Sequence, residues 1–347
     1  MSRAAGDKPR VVILGGGNGT SRLLRALAPL LAGGELASLH ALVLNADDGG
    51  STGRLRAQYH VSAMGDLTRC LVALSGFHGD RRGEQLLAAL DYRFASGDFA
   101  GHTLRNIFLT SLTLTSDLDA GIAMMARILQ IPKAAGAVPV TGEPLTVQVV
   151  ITFGGEKRLL GQGQHFISHN VNLQADPRWR AGDVRVQFVE GDVPLNARAA
   201  EVLMGATHII VAPGHTYGTI LPTLALPALQ EAVRRNSAAK LIVVMTLLTT
   251  PQQTSGWLGE DFVRVYESYL GRGVDAVVAS NAGVMVDLVP GQEWVRFQEP
   301  EHTYQLIEAA LVRREEQPRR SGDVVPRAVV VHDEVMLREI GRAILLA

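Results

Sequence analysis

One stretch near the start of the chain constrains the fold more than any other. Four apolar residues, Val11 to Leu14, lead into a glycine-rich run from Gly15 to Gly19, and helical apolar spacing follows from Ser21. A continuous apolar strand is typical of a parallel strand that is buried on both faces. The turn after it points backbone N–H groups and a helix N-terminus at one spot, which attracts phosphate. The stretch predicts a phosphate-binding turn; the alternative is a tight strand-to-helix turn without a ligand.

The glycine turn does not match the two best-known phosphate motifs. A Walker loop needs Lys followed by Ser or Thr, which the turn lacks. The dinucleotide fingerprint needs Gly or Ala where this chain has Thr20. A nicotinamide dehydrogenase is therefore disfavoured. The turn indicates a nucleotide diphosphate without identifying it.

A second strand is predicted at 41–45, and an unusual acidic loop follows it. Asp47 and Asp48 precede Gly49, Gly50 and Ser51. Because ligands of a parallel sheet lie beyond the carboxyl ends of its strands, this loop is expected to face the same crevice as the glycine turn. The two carboxylates suit Mg²⁺ beside a diphosphate, or a hydroxyl or sugar hydrogen bond. The structural alternative is an Asx-turn with a helix cap.

Other polar residues follow predicted strands or begin predicted helices. Asp66 is interpreted as either a helix N-cap or a site residue, and His102 and Asn106 are expected to share a helix face. The loop at 213–222 follows a predicted strand and precedes a predicted helix, as the glycine turn does, so it could also bind part of a ligand. Asn281 ends a later predicted strand. Arg54 is expected to pair with a phosphate, Asp47 or Asp48.

Composition narrows the class of protein. The chain has 347 residues, 47% hydrophobic content, 36 glycines and a formal net charge of −1, so bulk charge gives no reason to expect nucleic acid. Its single cysteine, Cys70, excludes a disulfide framework and is expected to be a core thiol. No apolar run reaches ~18 residues, so we expect no membrane span and a cytoplasmic protein.

The alternation of strands and helices predicts an α/β, Rossmann-like, three-layer α/β/α fold with a mostly parallel, doubly wound sheet. We expect a single domain over 1–347, with a β-rich insertion at 137–192. Within it, residues 162–183, which contain His165 and His169, are predicted to be a surface loop. Residues 300–314 are predicted to be helical, and 315–323 a charged linker.

Several segments together resemble a known family. They are Gly-Gly-Gly-Asn-Gly at 15–19, Ala-Asp-Asp-Gly-Gly-Ser-Thr-Gly-Arg-Leu-Arg at 46–56, Gly-Asp-Leu-Thr-Arg-Cys-Leu-Val-Ala-Leu at 65–74, Gly-His-Thr-Leu-Arg-Asn at 101–106 and Ala-Pro-Gly-His-Thr-Tyr-Gly-Thr-Ile-Leu-Pro at 212–222. In this order they resemble the YvcK family of gluconeogenesis factors, sister to the CofD 2-phospho-L-lactate transferases. Asn18, Arg105 and His215 depart from the family's usual motifs.

The resemblance implies a ligand and leaves two functions open. YvcK-like proteins bind UDP-sugars, notably UDP-N-acetylglucosamine, and act in carbon metabolism, cell-wall supply and cell shape. CofD enzymes use Mg²⁺ to move a phospholactyl group from a guanosine diphosphate carrier to a deazaflavin. The chain is thus expected to be a nucleotide-sugar-binding protein or a transferase, and a homodimer is compatible with either.

The candidate site residues combine both lines of reasoning. Asp47 and Asp48 would be catalytic if the chain is an enzyme, and would be the Mg²⁺ ligands. The ligand-binding candidates are Gly15, Gly16, Gly17, Asn18, Gly19, Thr20, Gly49, Gly50, Ser51, Arg54, Asp66, Arg69, His102, Asn106, Gly214, His215, Tyr217, Thr219 and Asn281.

Overall fold

The computed structural model describes residues 8–284, 286–315 and 330–347. Its strands are β1 (Arg10–Gly15), β2 (Ser38–Val43), β3 (Ala135–Pro139), β4 (Val147–Phe153), β5 (Glu156–Gln162), β6 (Val184–Phe188), β7 (His208–Val211), β8 (Lys240–Val244), β9 (Ala276–Ser280), β10 (Gln305–Ala309), β11 (Val312–Arg314) and β12 (Val330–His332). Its α-helices are α1 (Gly17–Ala32), α2 (Gly50–Tyr59), α3 (Gly65–Ala73), α4 (Arg81–Asp91), α5 (Leu104–Leu114), α6 (Leu118–Ile128), α7 (Gln164–Asn170), α8 (Ala197–Met204), α9 (Leu221–Leu224), α10 (Pro227–Arg235), α11 (Gly259–Leu270) and α12 (Glu334–Leu346).

Seven parallel strands form the main sheet, in the order β10-β9-β8-β7-β1-β2-β3. Alternate residues of β1 enter opposite cores: Val11 and Ile13 pack with α1, α3 and α12, whereas Val12 and Leu14 pack with α8 to α11. Both faces of the sheet are therefore covered by helices, which explains why β1 has no polar alternation. The predicted three-layer, doubly wound α/β fold is confirmed.

A separate antiparallel sheet, in the order β5-β4-β6, lies against the α8–α11 side of the core. It contains the predicted hairpin between β4 and β5. The sequence interpretation placed residues 138–140 inside the β-rich insertion, whereas β3 pairs in parallel with β2 as an edge strand of the main sheet. The antiparallel sheet thus begins only at Val147.

The predicted helix at 300–314 is wrong, because these residues contain β10 and β11. β10 extends the parallel sheet beside β9, and β11 pairs with β12. Main-sheet pairing outweighs the local helical spacing here. Of the predicted linker, residues 316–323 lie outside the described part of the chain.

The burial of His332 is expected to make the stability of the fold depend on pH. His332 is 6% exposed and its Nε2 lies 2.9 Å from the carbonyl oxygen of Met245. Burial lowers the pKa of His332 to about 4, and the charge of Arg22 adds to the decrease. The folded state keeps this ring neutral, whereas an unfolded histidine takes up a proton below about pH 6.5.

We therefore expect stability from His332 to be complete above pH 6.5 and to be lost as the pH falls toward 4, by up to about 3 kcal/mol. Denaturant unfolding at pH 8 and pH 5 measures the loss. The His332→Gln variant, which keeps a side-chain N–H, is expected to lose less stability over this interval than the parent chain. The exposed His60→Gln variant is the control, and equal losses in all three chains would contradict the prediction.

Candidate ligand site at the switch point of the sheet

The strand order reverses between β1 and β7. From β1 the chain builds outward through β2 and β3, and it later returns to the other side of β1 to form β7, β8, β9 and β10. Ligands of open parallel sheets bind beyond the carboxyl ends of the strands at such a switch point. The loops that follow β1 and β7 both leave the sheet there.

These two loops pack directly against each other. A Cβ on Gly19 would lie 1.9 Å from the carbonyl oxygen of Pro213, a distance that excludes any side chain. Gly15 has a φ of +149°, and a Cβ on it would lie 3.1 Å from Ala212 Cβ. A Cβ on Gly16 would lie 3.5 Å from the methyl group of Thr219. The glycines therefore permit one continuous wall made from both loops.

The glycine turn leads directly into a long helix. α1 begins at Gly17, and its N-cap residue, Gly16, has no side chain with which to cap the helix. The predicted start at Ser21 is too late, since the turn itself supplies the first helical residues. The N-terminus of a 16-residue helix thus opens at the switch point, as phosphate binding requires.

Asp66 faces this turn and does not cap its own helix. The N-cap of α3 is Met64, so the N-cap interpretation of Asp66 is wrong. A Cβ on Gly16 would lie 2.6 Å from Asp66 Oδ2, and the Gly17 N–H donates to the carboxylate. Burial raises the pKa of Asp66 to about 6, against the opposing effects of Arg69 and the Gly17 N–H.

The two acids of the second loop point to different partners. Asp47 Oδ1 accepts from the Gly49 N–H at 3.0 Å, and Asp47 Oδ2 lies 3.5 Å from where a Cβ on Gly65 would be. Burial raises the pKa of Asp47 as well, and its charge acts on Asp66. Asp48 Oδ1 instead accepts from the His165 N–H at 2.8 Å. Asp47 therefore interacts electrostatically with both Asp48 and Asp66, of which only Asp48 is its neighbour in the sequence.

The loop predicted at 162–183 begins with a helix, α7, that belongs to this region. Asp48 accepts at the start of α7, and a Cβ on Gly49 would lie 2.6 Å from the ring of His165. Ser168 Oγ lies 2.0 Å from where a Cβ on Gly218 would be, so α7 also touches the loop after β7. The surface-loop prediction is wrong for α7, because the polar window at 162–183 contains few apolar residues and therefore shows no helical periodicity.

One cation lies beside the glycine turn. The Arg69 guanidinium donates to Asn18 Oδ1 and its charge acts on both Asp47 and Asp66. Arg69 Nε is buried and has no hydrogen-bond partner among the described residues. Arg54, by contrast, donates to the carbonyl of Ala100 at 2.7 Å, so the structure does not show its predicted pairing with the acids.

Arg56, to which no sequence motif pointed, holds the loop at 46–51 in place; this loop is called the acid loop below. Arg56 Nη1 donates to the carbonyl oxygens of Ala46 at 2.9 Å and Asp47 at 3.0 Å. Thr52 also donates to the Asp47 carboxylate. An arginine that donates to backbone carbonyls is not part of a recognisable sequence motif. The signal that could have found Arg56 is its position shortly after the acidic residues.

Ser51, His102 and Asn106 do come together. Ser51 Oγ lies 2.9 Å from His102 Nδ1 and accepts from Asn106 Nδ2 at 3.1 Å. Thr68 donates to Asn106 Oδ1 at 2.8 Å. His102 precedes α5, which begins at Leu104, so the two predicted residues meet through a shared hydroxyl and not through one helix face. This buried network joins α2, α3 and α5 beneath the acid loop.

Three predicted residues have other surroundings. His215 Nδ1 accepts from the Gly218 N–H at 2.9 Å and caps a π-helical turn at Thr216–Ile220. Tyr217 is 1% exposed and packs on Trp257, in the core rather than at the glycine turn. Asn281 follows β9, which lies three strands from β1, or ~14 Å at the usual strand spacing.

These features define the class: an α/β protein with a parallel sheet and a glycine-lined, acidic site at its switch point. The family model for "2-phospho-L-lactate transferase CofD" matches residues 11–317, and the chain therefore belongs to the CofD family.

Cys70 is buried in the core as predicted. None of the described helices is long and apolar enough to cross a membrane.

Curated relatives narrow this assignment. The gluconeogenesis factor of Listeria monocytogenes is 30% identical over 290 residues, which cover 81% of this chain and 80% of that protein. The gluconeogenesis factor of Halalkalibacterium halodurans is 30% identical over 275 residues, 77% and 76% of the two chains. A relative from Nostoc sp. is longer, and the match covers 52% of it. The expected YvcK-type relationship is confirmed.

A solved structure shows the same fold. The crystal structure of protein BH3568 from Bacillus halodurans has a TM-score of 0.78 and 24% sequence identity, and the match covers 98% of this chain and all of that one. At this identity the likeness concerns the fold alone.

The environment of Asp66 generates a testable prediction. Since burial raises its pKa to about 6, the ionised carboxylate destabilises the folded chain at higher pH. We expect Asp66→Asn to raise the free energy of unfolding of the ligand-free chain at pH 8 by about 1–3 kcal/mol. Denaturant unfolding measures it, with the exposed Asp98→Asn as control. A loss of stability in Asp66→Asn alone would contradict the prediction.

Proposed function

We propose that the chain binds a nucleoside diphosphate-linked small molecule, a UDP-sugar such as UDP-N-acetylglucosamine or a GDP-linked compound, at the β1/β7 switch point. The observation that carries this proposal is the N-terminus of α1, whose N-cap is a glycine without a side chain, beside the glycine wall made from both loops. In this proposal the protein serves central carbon metabolism and cell-wall supply, in the cytoplasm.

Charge complementarity supports a diphosphate. Arg69 lies beside the turn with a buried Nε that lacks a partner in the described chain, and a buried donor of this kind favours an anionic ligand. Asp66, however, already accepts from the Gly17 N–H at the helix N-terminus. A phosphate that approaches this turn meets a carboxylate, so the pair requires a proton or a cation between them.

The donor set fits Mg²⁺. Asp47 and Asp66 supply carboxylate oxygens, and burial raises the pKa of both, so a bound cation would stabilise their ionised forms. No group of three or more His, Cys, Asp or Glu residues that could enclose a metal occurs in the described chain. Mg²⁺ typically takes one or two carboxylates and completes its shell with water and substrate phosphates. Asp47 and Asp66 would thus hold the ion, which would neutralise the diphosphate.

Ligand-induced stabilisation tests the binding proposal. UDP-N-acetylglucosamine, UDP and GDP are each titrated with and without Mg²⁺ while thermal unfolding is followed. At a concentration of 100 times its Kd, a ligand should add about 2.7 kcal/mol of stability. The Arg69→Ala variant is expected to bind about tenfold or more weakly, because it removes a charge-assisted contact.

Arg158→Ala, on the exposed face of β5, is the matched control and should bind like the parent chain. If none of the three nucleotides stabilises the parent chain under either condition, the proposal is wrong. Equal binding by Arg69→Ala and Arg158→Ala would show that the ligand does not bind beside Arg69 at the glycine turn.

A second candidate function is a CofD-like, Mg²⁺-dependent transferase. The match of the CofD transferase model to residues 11–317 favours it. In this function Asp66, whose pKa is raised to about 6, would act as the general base rather than as a Mg²⁺ ligand, because a base works best with a pKa near the operating pH. In this reaction an acceptor hydroxyl would attack the outer phosphorus of the diphosphate and lose its proton to a carboxylate. The bond to the inner phosphate would break, and a nucleoside monophosphate would leave.

Release of UMP or GMP from UDP- or GDP-linked donors tests this function, with small molecules extracted from bacterial cells as acceptors. Asp66→Asn is expected to lower turnover by roughly 100-fold or more, while nucleotide binding without Mg²⁺ stays near that of the parent chain. Asp98→Asn should be fully active. Binding without any monophosphate release would leave the chain as a nucleotide-sugar-binding protein.

A further inference from the structure

A cavity of about 320 Å³ lies between the segment that links α7 to β6 and the residues that follow β7 and β8. No residue of the glycine turn or the acid loop lines it. Pockets that bind small molecules have volumes of about 300 Å³ or more, so this cavity reaches the lower end of that range. The cavity is thus large enough for a ligand of its own.

Aromatic rings form much of its wall. Tyr217, Trp179 and Trp257 line it, which is two of the chain's three tryptophans. Tyr217 and Trp257 meet edge to face, with ring centroids 6.2 Å apart, and Trp257 is in turn held by Phe262 at 5.1 Å. Rigid aromatic walls of this kind favour a flat ring.

The same wall contains a buried acceptor that lacks a donor. Gln253 is 3% exposed, and its Nε2 donates to the carbonyl oxygens of Ile167 at 2.7 Å and Val171 at 3.2 Å. These two bonds fix which end of the amide is the nitrogen. Its Oε1 is buried and has no hydrogen-bond partner among the described residues. A guest molecule with an N–H or O–H group in the cavity would satisfy this acceptor.

The charged residues of the cavity are already engaged. The Arg180 guanidinium donates to the carbonyls of Pro177 at 2.8 Å and Trp179 at 3.1 Å. Asp176 accepts three hydrogen bonds from the side chain of Arg178, at 2.9, 3.2 and 2.6 Å. The carboxylate of Asp176 is thus paired, whereas Arg180 keeps its positive charge, so the walls disfavour a cationic guest.

We propose that this cavity binds an uncharged, planar nitrogen heterocycle whose ring N–H donates to Gln253 Oε1. The ring lies against Trp179, Trp257 and Tyr217. The site is separate from the switch-point cleft, and this proposal does not depend on the proposed function.

Benzimidazole and 1-methylbenzimidazole are the probes, because they differ in the one N–H that the proposal uses. At pH 8, saturation-transfer NMR and tryptophan fluorescence give the two dissociation constants. The parent chain is expected to bind benzimidazole about five- to tenfold more tightly, as one hydrogen bond provides. An equal affinity for both probes, or no binding at millimolar concentration, would overturn the proposal.

Two variants assign the contacts. Gln253→Leu is expected to bind both probes equally, and Trp179→Ala to bind both more weakly while it keeps their ratio. Because Gln253 also holds the end of α7, circular dichroism checks its folding, and the half-buried Trp179 carries the test independently. If UDP-N-acetylglucosamine displaces benzimidazole, or Trp179→Ala binds like Arg158→Ala, the cavity is not the binding site.

Discussion

The site depends on the close contact between two loops at the β1/β7 junction. Gly19 and Pro213 approach so closely that even a methyl group would collide with the carbonyl oxygen. The parallel register, in which Leu14 pairs with Val211, brings the two strands to an end at the same level. The helix N-terminus of α1 and the π-helical turn after β7 therefore open side by side. The proposed binding of a ligand depends on this shared wall.

The buried charges of this site lower the stability of the folded chain. Asp47 and Asp66 are held near each other in partly buried positions, and Arg69 compensates them only in part. A site built for stability would replace one carboxylate by a neutral group. Arg56 and Thr52 are directed at the same loop and hold its unfavourable charge in place, which supports the proposed ligand site.

The sequence predicted the parts of this molecule that local chemistry decides. The run from Val11 to Gly19 identified the first strand, the turn and the helix, since period and glycine content are local signals. The position of Asp66 beside the glycine turn was not predictable, because it depends on the packing of α3 against α1, which are distant in the sequence. The same holds for α7, whose place beside Asp48 is set by an antiparallel sheet over 100 residues further along. Strand β10 was mistaken for a helix because only its partner β9 decides its state.

The position of β1 at the centre of the sheet has a consequence for biosynthesis. β2 reaches β1 after a short connection, but the other neighbour, β7, lies 197 residues later, as the Arg10–Thr207 contact shows. At the usual speed of a bacterial ribosome, roughly ten to forty seconds pass before that edge is covered. During this interval a bare apolar strand edge emerges from the exit tunnel. The main sheet can therefore be completed only late in synthesis.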